Sequence, residues 1–332
     1  MSNRTRISGL ALLTVIVAAV VAAPVLAPNP PDRVFADLAF TPPMRPRLMD
    51  DQGLRPPFVY PWRVSNRQAF EFEVDKSRPL SIRFFSDGRV GSTAPDPWFL
   101  LGGDPLGRDV FSRLLSGGRL SLGVASLGVL LSLVLGSALG AIAGFAGGWT
   151  DRAITAVADL AVVLPLVYVV VTLRAALPLV LEPAAVFWTM VAVMGLATWP
   201  IPARGVRAIV AAERHEPYAE SAYAVGGGPL RILLRHLLPA AAGHVGIQGL
   251  LLFPAFIFAE ATLSYVGLGF AEPAASWGIM LRDAGGIAAI TEAPWLMAPA
   301  AAIVLTVVAI QLVIRGSGRQ ASGRRNQPTR GV

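Results

Sequence analysis

Long apolar runs alternate with short polar breaks over most of this chain, at lengths set by a lipid bilayer. A ~30 Å hydrocarbon core takes about 20 predominantly apolar residues in an α-helix. Runs at 7–27, 120–144, 154–172, 183–199, 240–267 and 295–314 are of that length class and predict six membrane-spanning helices. The first is read as an uncleaved anchor, because it is longer than the usual 7–15-residue core of a signal peptide. A signal peptide with a small-residue end at 23–27 is the alternative. Residues 28–101 break the pattern, with 12 of the 27 prolines, the only lysine (Lys76) and scattered aromatics. Within them AFEFEV (69–74) alternates and LSIRFF (80–85) is β-prone, which predicts a small hairpin turning at 75–79.

Three shorter patterns sit among the spans. Before the second, Asp104 and Pro105 can open a short helix with Leu106, Val110 and Leu114 on one side and Arg108, Asp109 and Arg113 on the other. That predicts a helix lying at the membrane surface. Within the second span, Gly136 and Gly140 have the small-x-x-x-small spacing that lets membrane helices approach closely. Residues 216–239, EPYAESAYAVGGGPLRILLRHLLP, read as two short helices around a corner. Glu216 can cap the first and Pro217 fits its first turn; Gly226 stops it, and Pro229 opens the second. Leu230, Leu233, Leu234 and Leu237 form the expected apolar stripe there, with Arg231 and Arg235 off it.

Composition agrees with a membrane protein: 54% hydrophobic and 15% charged residues, against roughly 25% charged in soluble domains. The net charge of +7 could suggest nucleic acid, but the arginines flank apolar runs as topology determinants do. Arg4 and Arg6, the five arginines at 204, 207, 214, 231 and 235, and the basic tail place both termini and loop 203–239 in the cytoplasm. The tail, 315–332, is rich in Gly, Ser and Arg and is expected to be disordered.

Several chemistries are excluded. Without cysteine there is no disulfide or thiolate site, and a single lysine outside any glycine-rich loop rules out a phosphate-binding loop. If ATP drives this protein, another subunit binds it. His215, His236 and His244 form no His-Glu-x-x-His cluster, which disfavours an intramembrane hydrolase. A secondary transporter should show internal repeats with paired broken helices, and no clear repeat is seen. Two intramembrane acids are candidate sites. Asp159 either handles substrate or ions, or is paired near a helix end; Glu260 either lines a translocation path or pairs across helices.

The motifs carry a family resemblance. Glu220, Ser221 and Ala222, then Gly226, then Leu238 and Pro239, resemble the EAA loop of ABC-importer permeases, with Ser221 in place of the usual Ala and a looser Gly triplet. Gly102, Asp104, Gly107, Arg108 and Asp109 resemble the Gly-Thr-Asp-x-x-Gly-Arg-Asp run of the dipeptide/oligopeptide (peptide/nickel) branch, with Gly103 where Thr is usual. GGWTDR at 147–152 with Asp159 and Pro165, EATLSYVGLG at 260–269, and the later Trp277-Gly278 and Met280-Leu281 are similar to the same branch.

The resemblance covers 102–314 and implies an all-α, six-transmembrane-helix permease bundle of the type I importer class. Its organisation would be an anchor (1–27), a small Pro-rich extracytoplasmic insertion (28–101), a core of five helices (102–314) with coupling loop 203–239, and a cytoplasmic tail (315–332). It implies a non-catalytic subunit of a bacterial inner-membrane peptide importer. The partners would be a second homologous permease, two cytoplasmic ATPases holding ATP and Mg, an extracytoplasmic solute-binding protein and surrounding lipid. Nickel chelates or glutathione are alternative cargoes. The ATPase would meet Glu216, Tyr218, Glu220, Ser221, Ala222, Gly226, Arg231, Arg235 and Pro239.

Overall fold

The computed structural model describes residues 2–50, 53–66, 70–86, 88–163, 168–169, 171–172, 182–286 and 291–325. The chain forms two compact units, one of Met1–Leu122 with Ala261–Val332 and one of Gly123–Glu260. Two long apolar helices, α3 (Val110–Ala146) and α9 (Ala242–Tyr265), each begin in one unit and end in the other.

In the first unit, α1 (Ser2–Val21) packs on the last helix, α11 (Ala298–Arg325), which the short helix α10 (Trp277–Asp283) also touches. Glycine sets their separation: a Cβ on Gly9 would lie 2.8 Å from the Ala309 carbonyl oxygen, and one on Gly316 2.5 Å from the Arg6 Cβ. Early residues of α1 thus meet late residues of α11, so the pair is antiparallel. The outer sides of α1 keep Val15, Val17 and Val21 exposed, as a helix solvated by lipid would. Helix α11 is described as far as Arg325, eleven positions into the 315–332 tail.

Between α1 and α3 the chain first makes a short turn of helix, α2 (Ala23–Leu26), and then, among the described residues, seven short strands. Strand β2 (Gly53–Val59) pairs antiparallel with β1 (Arg47–Asp50) and β5 (Leu80–Ser81); β3 (Trp62–Asn66) pairs with β4 (Glu71–Val74), and β6 (Arg83–Ser86) with β7 (Arg89–Ser92). The predicted hairpin between 69–74 and 80–85 is therefore not formed. The β4 strand returns onto β3, and 80–85 divides at Ile82. Leu80 and Ile82 bury with Met44, Val59 and Phe99, while Phe84 turns away with β6 across Gly88 (φ +73°). The insertion thus has its own apolar core and adds β structure to an otherwise helical chain, more than a single hairpin supplies.

The second unit is built on close helix contact. Helix α5 (Pro183–Thr198) joins α6 (Pro200–Glu213) through a 42° bend at Trp199. Trp199 is buried and packs with Ala158 and Ala203. Gly136, Gly140 and Gly144 of α3 face successive turns of α6, where an added Cβ would lie 2.7, 2.4 and 2.5 Å from the carbonyl oxygens of Trp199, Ala203 and Arg207. A stripe with no side chains lets two backbones touch, which the 136/140 spacing foreshadowed and Gly144 extends.

Helix α4 (Gly148–Val163) is tied to α6 by the Asp151–Arg207 and Asp159–Arg204 ion pairs. It is the described start of the predicted third span; Pro165 lies outside the described residues. Among those residues four helices are long and apolar enough to cross a bilayer, and the bent α5–α6 pair makes a fifth.

Candidate functional site

The polar corner of the second unit begins where α6 ends. Arg214 donates to the Phe145 carbonyl (2.9 Å), so a cation sits on the otherwise unpaired C-terminal carbonyls of α3. Glu216 takes the extended backbone of an N-cap, but its side chain makes no capping bond, contrary to the sequence expectation. Pro217 occupies the first turn of α7 (Pro217–Ala224), where a missing N–H loses nothing, so no acceptor is required there. The helix ends by backbone geometry. Gly226 has φ +85°, its N–H donates to Tyr223 (2.9 Å), and the Gly227 N–H donates to Ala222 (3.0 Å). This is the Schellman closure, and it depends on a residue without a left-handed penalty.

Pro229 then opens α8 (Pro229–Ile232), which widens to a π-turn over Leu233–Leu237 and closes as Leu238–Ala240. The widening changes the predicted stripe. Ile232, Leu233 and Leu237 are buried, whereas Leu230 and Leu234 are 67% and 55% exposed. In a π-turn the i+5 residue returns to the same side, so 232 and 237 align where a 3.6-residue period would align 230, 234 and 237.

The base under α7 is apolar and small. Ala219 is fully buried and Ala222 partly so, against Val206, Val210, Ile232, Leu237 and Ala241. Tyr218, Glu220, Ser221, Tyr223 and Val225 are exposed, Val225 at 90%. The Tyr218 hydroxyl donates to the Glu213 carboxylate at 2.6 Å, which pushes its pKa up to about 12. The Ser221 hydroxyl donates to the Pro217 carbonyl (2.7 Å), so this departure from Ala is absorbed within the helix. Arg231, Arg235 and Pro239 are exposed, and neither arginine forms an ion pair among the described residues. Tyr223 on the helix and Val225 at its C-cap, both exposed, escaped the sequence reading.

The second motif lies in the other unit, and the helix predicted to open at Asp104 starts only at Val110, as the beginning of α3. Residues 102–109 form a loop with Gly102 and Gly107 at φ +88° and +75°, closed by a bridge between Gly103 and Asp109. Two left-handed residues within six positions preclude a helix there. The loop is also crowded: a Cβ on Gly107 would fall 2.1 Å from the Phe35 carbonyl, and one on Gly103 2.7 Å from that of Leu38. The latter accounts for glycine where Thr is usual.

The charged residues of this loop are buried rather than on a polar face. Asp104 accepts from the Leu106 and Arg108 amides (2.9 and 2.8 Å) and from the Arg108 Nε (2.6 Å). Arg108, 3% exposed, also binds both carboxylate oxygens of Glu272. Burial opposes its charge, but Glu272 and Asp104 outweigh it and raise its pKa. Arg113, fully buried, reaches Glu272 at 3.3 Å. Asp283 lies 3.7 Å from Arg108, with its pKa pushed up to about 6 by burial and then by Glu272 and Asp104. Asp109 accepts from Asn29, from the Ser112 hydroxyl and from the amides of Phe111 and Ser112 at the start of α3; burial raises it to about 6. Glu272 and Asp283 follow the motif by more than 160 residues, and no local pattern linked them to it.

The remaining candidates separate. Asp159 is 59% exposed and paired with Arg204 at 2.7 Å, whereas Glu260 in α9 is fully buried.

Bilayer-length helices, glycine-mediated helix contact and an exposed polar corner on a packed base define a multi-span integral membrane protein. The chain belongs to the family of binding-protein-dependent transport system inner membrane components, which matches residues 136–322. It is 36% identical over 219 residues to the oligopeptide transport system permease protein OppC of Bacillus subtilis, covering 66% of this chain and 68% of that one. It is 35% identical over 227 residues to the dipeptide transport system permease protein DppC of the same organism (68% and 67% covered). It is 30% identical over 280 residues to the glutathione transport system permease protein GsiD of Pectobacterium atrosepticum (80% and 91% covered). The family match includes the α7 corner and Glu260 but neither the 28–101 insertion nor the 102–109 loop.

Proposed function

We infer that this chain is one of two permease subunits of an ATP-driven importer of dipeptides or oligopeptides. Closure of two cytoplasmic ATPases, which hold the ATP and Mg, is passed through α7 to a bundle that alternates between inward-open and outward-open. The observation that carries this reading is the construction of α7. A short helix bearing Tyr218, Glu220, Ser221 and Tyr223 on its exposed sides is seated through Ala219 on a core that includes α3 and α6 residues. A force on such a helix moves the helices beneath it, because packed interiors transmit displacement.

The cargo reading is supported by the names of the relatives, two of which are oligopeptide and dipeptide permeases; the glutathione permease keeps that tripeptide as the second reading. Six spans with both termini in the cytoplasm are supported by the antiparallel α1–α11 pair, which brings the two ends of the chain to one side, and by the arginine distribution. The 28–101 insertion would then face the solute-binding protein.

Copurification from the native membrane tests the assembly. A second multi-span subunit and an ATPase are expected with this chain, and recovery of a self-sufficient monomer would overturn the reading. Uptake of labelled di- and tripeptides by proteoliposomes of the complex, with and without excess glutathione, separates the cargoes: displacement by glutathione alone selects the second.

A further inference from the structure

An open apolar groove of about 510 Å³ lies within the 123–260 unit, between α3 and α8. Its walls include Leu130, Val134 and Ile142 on one side and Leu230 and Leu234 on the other, and Ser137 is its only lining residue with a polar side chain. Between 43% and 67% of each of those five apolar residues is accessible. Along α3 the groove extends from Ile142 back to Leu130, about 18 Å at 1.5 Å per residue. The Ile142 end adjoins the Gly147–Gly148 turn and the arginine-rich corner.

That length fits one acyl chain, since a lipid chain of one leaflet spans about half of a ~30 Å core. The α8 wall adds the second requirement. Beside Leu230 and Leu234 stand Arg231 and Arg235 at the same i, i+4 spacing, exposed and without an ion pair among the described residues. A short helix with adjacent apolar and cationic rows matches the boundary between acyl chains and headgroups.

We propose that this groove holds one acyl chain of an anionic phospholipid, whose phosphate is bound by Arg231 and Arg235, which takes these two arginines out of the ATPase-facing set expected from the sequence and leaves that surface to α7. The lipid belongs to the cytoplasmic leaflet, an assignment that rests on the orientation given under the proposed function. Because Leu233 and Leu237, next to the groove wall, share a core with Ala219, the lipid braces the base on which α7 sits.

Native mass spectrometry of the full complex, released from nanodiscs of phosphatidylcholine with phosphatidylglycerol, tests this. Phosphatidylglycerol is expected to be retained in preference to phosphatidylcholine, with about fivefold weaker retention for each of Arg231→Gln and Arg235→Gln. Val134→Trp fills the groove from α3, leaves both arginines in place, and is expected to abolish the preference. The chain lacks cysteine, so Leu234→Cys gives a single attachment point in it; alkylated there with benzophenone maleimide before assembly with the other subunits, it should crosslink to phospholipid on irradiation. No headgroup preference, unchanged retention in the arginine variants, or crosslinking of Cys-substituted 234 to another membrane subunit overturns the proposal. None of these readouts uses peptide uptake, so they stand apart from the cargo assignment.

Discussion

The Gly140 backbone lies directly against Ala203: a Cβ at Gly140 would be 2.4 Å from the Ala203 carbonyl oxygen and 3.0 Å from its Cα. Neither partner can yield without moving a whole helix, since both atoms are main chain. Gly140→Val is therefore expected to destabilise the detergent-extracted protein by about 1–3 kcal/mol or more, the range for overpacked cores. Gly243→Ala, where nothing lies within 4 Å, is the control and should be neutral. Thermal unfolding of the two variants side by side measures the difference; equal midpoints would remove the close-contact account.

Gly226 presents the opposite case, with open space around it but φ +85°. Gly226→Val is strained by conformation alone, by about 1–2 kcal/mol. The variant should reach the membrane and retain its partners but lose uptake, because the α7 closure is gone. Gly226→Asn, which tolerates the left-handed region, should restore much of it. Uptake by the valine variant at the parental rate would refute the coupling role.

Arg108 holds Asp104 and Glu272 together at 3% exposure. Removing one partner of a buried ion pair is destabilising by about 3–5 kcal/mol, since the other charge is left uncompensated. Arg108→Gln should sharply lower the unfolding temperature. Arg108→Lys should recover little, because an ammonium cannot grip both oxygens of Glu272. Adding Asp104→Asn to Arg108→Gln should return part of the loss, because Asp104 is the buried carboxylate left behind whereas Glu272 is 42% exposed and keeps Arg113, and a double-mutant cycle reads the coupling directly.

Asp283 gives a pH dependence with a definite sign. Its pKa rises from 3.8 to about 6 on folding, chiefly through burial, so the folded protein binds the proton more tightly than the unfolded chain. The stability that this site adds is complete below about pH 4 and is lost as pH rises through about 6. In Asp283→Asn the unfolding midpoint should vary less between pH 4 and 6 than in the parent. Identical pH profiles would show that Asp283 does not titrate in this window.

Much of the α7 corner was legible in advance because its signals are local. Pro217, Gly226 and Pro229 act through their own backbone preferences, and the structure places each where those preferences apply. The loop before α3 was misread as a helix for the converse reason. Leu106, Val110 and Leu114 have helical spacing, but the partners that bury Asp104 and Arg108 come from Glu272 and Asp283, and the carbonyls that require Gly103 and Gly107 come from Leu38 and Phe35. Strand pairing in the insertion failed similarly: alternation marks a strand but does not name its neighbour.

Sequence alone determined that this chain lives in a bilayer, that its one lysine lies in no glycine-rich phosphate-binding loop, and that a glycine-stopped helix lies in an arginine-bearing loop. Those properties follow from run length, residue absence and single-residue backbone chemistry. Tertiary structure decided which leucines of α8 face the core, that Gly144 joins Gly136 and Gly140 against α6, and that the charges near α3 are a buried network instead of a solvated face. Burial and pairing are set by residues distant in the chain, and only the folded backbone brings them within a hydrogen bond.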